Sequence, residues 1–206
     1  MLKIWGRANS INVQKVLWCA DELGLHYERY DVGGAFGKNN EPAYLAMNPN
    51  GLVPTIEDND FVLWESNTIV RYLSAKHAHG SLCPRDLAAR ADVERWMDWQ
   101  LTVPQKDMTT IFWGLVRTPT EKRDPVAIAQ AAKSANGLWA RLDRHLQGRA
   151  FVGGSAFTMG DIPAGALVFR WFNLPVERAE LPHLRAWYER LTTRPAYRKN
   201  VMPPMT

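Results

Sequence analysis

The chain has 206 residues, 46% of them hydrophobic and 22% charged, with nine tryptophans, which suits a globular protein of one large or two small domains. Its net charge of +4 comes from scattered Lys and Arg, with no zinc-finger spacing and no basic run interleaved with aromatics, so a nucleic-acid partner is excluded from the expectation. No apolar run is long enough for a bilayer, MLKIWGRANS lacks the apolar core of a signal peptide, and two cysteines, Cys19 and Cys83, make neither a disulfide framework nor a metal site; the expectation is a cytoplasmic protein without membrane or metal.

Residues 2–5 (LKIW) read as a short strand, and Gly6 to Asn12 as a turn. Val13, Val16, Leu17, Ala20 and Leu23 then recur at helical spacing until Gly24 stops the helix. Tyr27 to Val32 alternates like a second strand, Gly33 to Asn40 is a Gly-rich loop, and Pro42 to Met47 suits a short helix. Asn48-Pro49-Asn50-Gly51 is a run of turn formers. Val53 to Ile56 reads as a strand, Asp58-Asn59-Asp60 as a hairpin turn and Phe61 to Trp64 as the return strand. Glu65-Ser66-Asn67 opens a helix whose apolar side includes Ile69, Val70 and Leu73. This order is that of a thioredoxin-like α/β domain, expected over 1–79. His77 to Arg85 breaks the pattern as a linker. Beyond it, 86–115, 124–147, 160–172 and 182–192 are helical in period or composition, so an all-α domain is expected over 86–206.

Within that second domain, Phe157-Thr158-Met159-Gly160-Asp161-Ile162 has Thr158 as a helix cap and Asp161 three positions on, a variant of the capping box. Phe157 and Ile162 stand where a hydrophobic staple places them. The role assigned to Thr158 and Asp161 is folding, not catalysis.

The stretch from Asn48 to Tyr72 suits peptide binding. Pro54 has no N–H and belongs at a strand start or edge, and the bond before it is a candidate for the cis form, which opens the Val53 N–H and C=O to a ligand. Ser66, at a helix N-terminus, offers its hydroxyl and free backbone N–H groups to a carboxylate. Glu65 beside it can accept from an ammonium group. An extended peptide with a free amine and a free carboxylate fits this pair.

Val53-Pro54, Glu65-Ser66, the Thr158 box and the segment KIWGRANSINVQKVLWCADELG together resemble the glutathione transferases, in particular the serine-type, phi- and theta-like cytosolic enzymes. The resemblance covers essentially the whole chain. It implies a thioredoxin-like domain that binds glutathione as cosubstrate, followed by an all-helical domain, in a detoxifying enzyme. It places the family's serine on Ser10 and the glutathione contacts on Val53, Pro54, Glu65 and Ser66. Ser10 then donates to the glutathione thiolate, which attacks an electrophile; the serine is not itself the nucleophile. Ser is also a preferred helix cap, and Asn9 and Asn12 carry amides that can share or replace its role. The first tyrosine, Tyr27, lies in the second strand, and Cys19 lies about two helical turns past the turn, so neither heads a tyrosine- or cysteine-type site. Where phi-type relatives have a His-Lys pair for the glycine carboxylate, this chain has Asn39-Asn40 after Lys38, and Asn39 or Lys38 is the candidate. The resemblance puts the electrophile pocket between the domains, with Met108, Ile111, Phe112, Trp113 and Arg117 as candidates. It also implies a homodimer, as does the apolar load of Val93, Trp96, Met97, Trp99 and Leu101, unless a neighbouring helix covers them. Competing readings are a glutathione-dependent disulfide or peroxide reductase, and a non-catalytic binding module on the same fold.

Overall fold

In a computed structural model that describes all 206 residues, LKIW forms β1 (Leu2–Trp5), at the centre of a four-stranded sheet. The chain continues through α1 (Ile11–Glu22), β2 (Tyr27–Tyr30), α2 (Pro42–Met47), β3 (Thr55–Asp58), β4 (Phe61–Trp64) and α3 (Ser66–His77). The sheet order is β2-β1-β3-β4. β1 runs parallel to β2, with Trp5 opposite Tyr30, and antiparallel to β3, with Trp5 opposite Thr55. β3 and β4 form the hairpin, whose turn carries Asn59 at φ +57°, a conformation that asparagine tolerates. This is the thioredoxin-like arrangement that the element order implied.

Three strand limits differ from expectation. β2 stops at Tyr30, short of Val32, and β3 starts at Thr55, not Val53, and runs on to Asp58, which was expected in the hairpin turn. Pro54 has no N–H to give to a ladder, and the Val53–Pro54 bond is cis. Ile4 and Ile56 are buried from the sheet, as are Val13, Val16, Leu17 and Ala20 of α1 and Ile69, Val70 and Leu73 of α3, and the two helices pack on each other. Each such large aliphatic group is worth about 1.5–3 kcal/mol when fully buried.

The chain divides into two units, one of Met1–Arg85 with Ala196–Pro203 and one of Asp86–Pro195 with Pro204–Thr206. The C-terminal helix α9 (Pro195–Asn200) thus gives most of its residues to the sheet unit. There the Tyr197 ring meets Trp18 edge-on at 4.7 Å, Asn200 Nδ2 donates to Asp21 Oδ2 at 2.6 Å, and Lys199 pairs with the same carboxylate at 2.8 Å.

The second unit is built from α4 (Leu87–Thr102), α5 (Gln105–Phe112), α6 (Pro125–Leu146), α7 (Asp161–Asn173) and α8 (Pro182–Thr192). The helical pattern over 86–115 is not one helix: it breaks at Val103-Pro104, where proline removes a donor, and α5 runs into a π-helical turn over Trp113–Arg117. Asp86 caps α4 through Ala89 N–H, and Asp124 caps α6 through the N–H groups of Val126 and Ala127. α7 is buried on every side from Ile162 to Trp171, as befits a central helix.

The expected box before α7 has a different bonding pattern. Thr158 donates both its N–H (2.9 Å) and its hydroxyl (3.2 Å) to Asp161 Oδ2, so its side chain does not accept from the helix. Asp161 Oδ1 accepts from Val152 N–H at 2.8 Å and from the Trp187 indole at 2.9 Å. The load on α4 is partly covered within the unit: Trp96 lies 4.4 Å from the His145 ring, and Trp99 meets Trp139 edge-on at 6.0 Å, both partners on α6. Leu101 remains exposed. No helix is long and apolar enough to cross a membrane.

Candidate functional site

The turn between β1 and α1 is set by main-chain bonds. Gly6 N–H donates to Tyr30 O at 2.8 Å and Arg7 N–H to Val32 O at 3.0 Å, so the parallel pairing of β1 with β2 carries on into the loop. A Cβ on Gly6 would fall 2.4 Å from Val13 Cγ2, so only glycine lets the turn approach α1 this closely. Ser10 N–H then donates to Arg7 O at 3.1 Å, and Ser10 O accepts from Gln14 N–H at 2.8 Å.

Ser10 occupies the cap position with extended backbone (φ −84°, ψ 124°), but its side chain makes no capping bond. Serine is favoured at a cap because its oxygen accepts from the first helical N–H groups. Here the hydroxyl is not spent that way, and Ser10 lines a cavity of about 210 Å³ together with Arg7, Asn12, Asn39 and Val53. Asn12, the second residue of α1, has a buried side-chain oxygen with no donor in the protein. Rotating that amide by half a turn puts its NH₂ at the same place. The unpaired N–H groups and positive dipole end of α1 add to this side of the cavity.

The opposite wall is the segment before β3. Tyr44 O–H lies 2.6 Å from Leu52 O and 2.8 Å from Thr55 Oγ1, and Asn48 Nδ2 donates to the same two atoms at 2.8 and 3.1 Å. Asn48 Oδ1 also accepts from Asn50 N–H at 3.1 Å. These bonds hold the loop that presents Val53 and the cis bond to Pro54. Asn39 is at the cavity, but its amide donates to Gly51 O at 2.9 Å, so part of its donor capacity supports the loop rather than waiting for a carboxylate.

α3 begins beside this wall in sequence. Glu65 stands at its cap with φ +71°, exposed and without a hydrogen bond from its side chain to the helix. Ser66 is the first helical residue and is buried, and the first-turn N–H groups there have no intrahelical acceptor. Below it, Lys15 of α1 is fully buried and donates to Asn67 Oδ1 at 3.4 Å, which links the two helix N-termini.

The other candidates lie elsewhere. In the helical unit Met108, Ile111 and Phe112 are core residues of α5, Trp113 is 56% exposed, and Arg117 has its guanidinium carbon 5.6 Å from the Phe112 ring centroid. Cys19 is buried in α1, 3.7 Å from Ser74 Oγ, and burial pushes its thiol up to about 12, far from reactivity at neutral pH. Cys83 is buried as well, and neither cysteine is in a disulfide. No group of three or more His, Cys, Asp or Glu is placed to hold a metal ion. Sequence reasoning missed Arg7 and the glycines Gly33 and Gly34 that share its cavity; the available signal was an arginine in the turn after β1 and a Gly-Gly pair after β2.

Comparison with known proteins finds similarity over the whole chain. Residues 1–75 match the family model of the glutathione S-transferase N-terminal domain, and residues 125–190 match that of the C-terminal domain. The chain is 44% identical to glutathione S-transferase GstB of Escherichia coli strain K12, over all of both chains. It is 31% identical to glutathione S-transferase 3 of Zea mays, covering 98% of this chain and 96% of the maize protein. Among solved structures, the theta class glutathione S-transferase of Xanthomonas axonopodis pv. citri with glutathione bound superposes with a TM-score of 0.96 at 51% identity, covering 100% of this chain and 99% of that one.

Proposed function

The chain belongs to the glutathione S-transferase family, and on that premise we propose that it joins the thiolate of glutathione to small electrophiles, with Ser10 activating the thiol. The observation that carries this reading is the Ser10 hydroxyl: it stands at the N-terminus of α1, makes no capping bond, and lines the same cavity as Val53. A free thiol has a pKa of about 8.5, so little thiolate exists at neutral pH. A hydroxyl that donates to the sulfur, and the positive end of α1, both favour the anion. The sulfur then attacks an electrophilic carbon, the new C–S bond forms, and the leaving group departs with the bonding pair.

In this reading Val53 pairs with the glutathione backbone through the N–H and C=O that the sheet does not use. Ser66 and the first N–H groups of α3 take the γ-glutamyl carboxylate, and Glu65 accepts from the ammonium group. Asn12 is a second donor near the sulfur, and Asn39 is the candidate for the glycine carboxylate. The electrophile side is assigned to Trp113 and Arg117, with Met108 and Phe112 shaping it from the core. The working form is a homodimer in the cytoplasm; two cysteines outside any disulfide suit a reducing compartment, and β4 is an edge strand carrying the exposed Phe61 and Trp64.

The test is turnover. The purified protein is assayed with glutathione against halogenated, epoxide and disulfide substrates. Conjugation of the first two classes is expected. Reduction of disulfides without any conjugation would move the assignment to a reductase, and glutathione binding without turnover would move it to a binding module.

A further inference from the structure

A cavity of about 790 Å³ lies within the helical unit. Its walls come from three places: the π-helical turn at Leu115, the first half of α6, and the segment between α7 and α8. It shares no residue with the cavity beside Ser10, and none of Met108, Phe112, Trp113 and Arg117 lines it. A cavity of this volume is large enough for a drug-sized molecule.

Hydrogen bonds hold all three walls. Arg123 donates from Nε to Thr118 O at 3.1 Å and from Nη2 to Leu115 O at 2.7 Å, which ties down the end of the turn. Gly114 lets that turn come close to α6, since a Cβ there would fall 2.7 Å from Ile128 Cδ1. Asn136 of α6 donates to Glu177 O at 3.1 Å and accepts from Ala179 N–H at 2.7 Å. Arg178 Nη1 donates to Trp171 O at 3.0 Å and to Leu174 O at 2.6 Å. The cavity is therefore part of the folded framework and needs no rearrangement to exist.

Its chemistry is one-sided. Leu115, Ile128, Pro175 and Val176 give it apolar walls, and small side chains at Ala129 and Ala132 leave the space open. The charged residues that line it are Arg123, Lys133 and Arg178, against Glu177 alone, and none of the four forms an ion pair. Each guanidinium has five N–H groups and keeps some beyond those given to carbonyls. Burial, and after it the charge of Arg185, pushes the Arg178 pKa down, with no carboxylate acting in the other direction. A partly buried cation without a counter-ion favours an anionic ligand, and a carboxylate matches the guanidinium fork. We propose that this cavity is a second binding site, separate from that for glutathione, which takes a carboxylate on an apolar body the size of a medium-chain fatty acid. The body lies against the apolar walls and the carboxylate meets the three cations. A neutral ligand leaves those cations unpaired. The inference does not depend on the glutathione-site reading, because the two cavities share no residue.

The experiment compares decanoate with decan-1-ol, which share an apolar chain and differ in the charge of the head. Calorimetry on the full chain measures both, with and without saturating glutathione. One decanoate per chain is expected, bound roughly tenfold or more tighter than decan-1-ol, with an affinity that glutathione does not change. Ala129→Trp, at an exposed position of α6, fills the cavity and should abolish binding. Lys133→Glu should weaken decanoate roughly fivefold or more and leave decan-1-ol unchanged. Both variants should bind glutathione like the parent, and if Ala129→Trp does not fold, Lys133→Glu decides alone. No decanoate binding at millimolar concentration, equal affinity for the two probes, or parental decanoate affinity in either folded variant overturns the proposal. Competition between decanoate and glutathione overturns it as well, and places the fatty acid in the glutathione site.

Discussion

Asp161→Asn tests how the helical unit is held, and its effect can be worked from four hydrogen bonds. The carboxylate is fully buried and accepts from Val152 N–H, the Trp187 indole, Thr158 N–H and the Thr158 hydroxyl. Asparagine keeps an oxygen for the first two. At Oδ2 it places an NH₂ against two donors; the hydroxyl can turn to accept, but the Thr158 N–H is left buried without a partner. An unsatisfied buried donor costs about 1–3 kcal/mol, and losing the charge weakens the remaining bonds by up to about 1 kcal/mol each. A loss of about 3 kcal/mol lowers Tm by about 6–12 °C in a chain of this size. The pH dependence has a definite sign. Burial raises the folded-state pKa of Asp161 to about 6 from 3.8, with the four hydrogen bonds working in the opposite direction. Between those values the folded form holds a proton that the unfolded form has released, so the parent loses stability as pH rises through that window and is flat above it. The variant lacks this titration. Its deficit relative to the parent should therefore be larger at pH 5 than at pH 7.5, by about 1 kcal/mol. Melting followed by circular dichroism at both pH values measures this. A variant that melts with the parent at pH 7.5, or a deficit that shrinks at pH 5, would refute the reasoning.

Ser66→Ala should weaken glutathione binding roughly ten- to a hundredfold, the worth of about 1.5–3 kcal/mol for a hydrogen bond to a charged group, and Glu65→Ala should act similarly through the ammonium group. Calorimetry showing parental affinity in either variant removes that residue from the site. Light scattering at micromolar concentration should give about twice the 23.4 kDa of a single chain; a monomer mass removes the dimer but not the glutathione site, because the residues assigned to it come from one unit of one chain.

Much of the sheet unit was legible because its punctuation is chemical. The turn formers Asn48 to Gly51, the proline at position 54 and the Glu65-Ser66 start of a helix leave few alternatives, and the cis bond before Pro54 lies where the X-Pro step allows it. The helical unit was less legible. Helical periodicity over 86–115 did not show the break at Pro104, and the Thr158-Asp161 spacing did not reveal which side chain donates. Periodicity also cannot tell a pocket wall from a core: Met108 and Phe112 read as apolar positions of a helix either way, and both are buried. Arg7 was silent because its setting is assembled from residues far apart, the turn after β1 and the glycines at 33 and 34. Likewise nothing in the composition of 196–203 says that this segment packs against Trp18 and Asp21 of the sheet unit.

The central claim is that Ser10 holds the thiolate, and the most direct measurement is the near-ultraviolet titration of bound glutathione. In the parent the bound thiol should titrate below the free value of about 8.5. In Ser10→Ala its pKa should rise by about one to two units, since each unit corresponds to about 1.4 kcal/mol and a hydrogen bond to a charged group is worth about 1.5–3 kcal/mol. Glutathione affinity at low pH, where the thiol is neutral, should change little. A bound thiol whose titration is unmoved in Ser10→Ala and shifted in Asn12→Ala would contradict the account and assign the chemistry to the asparagine.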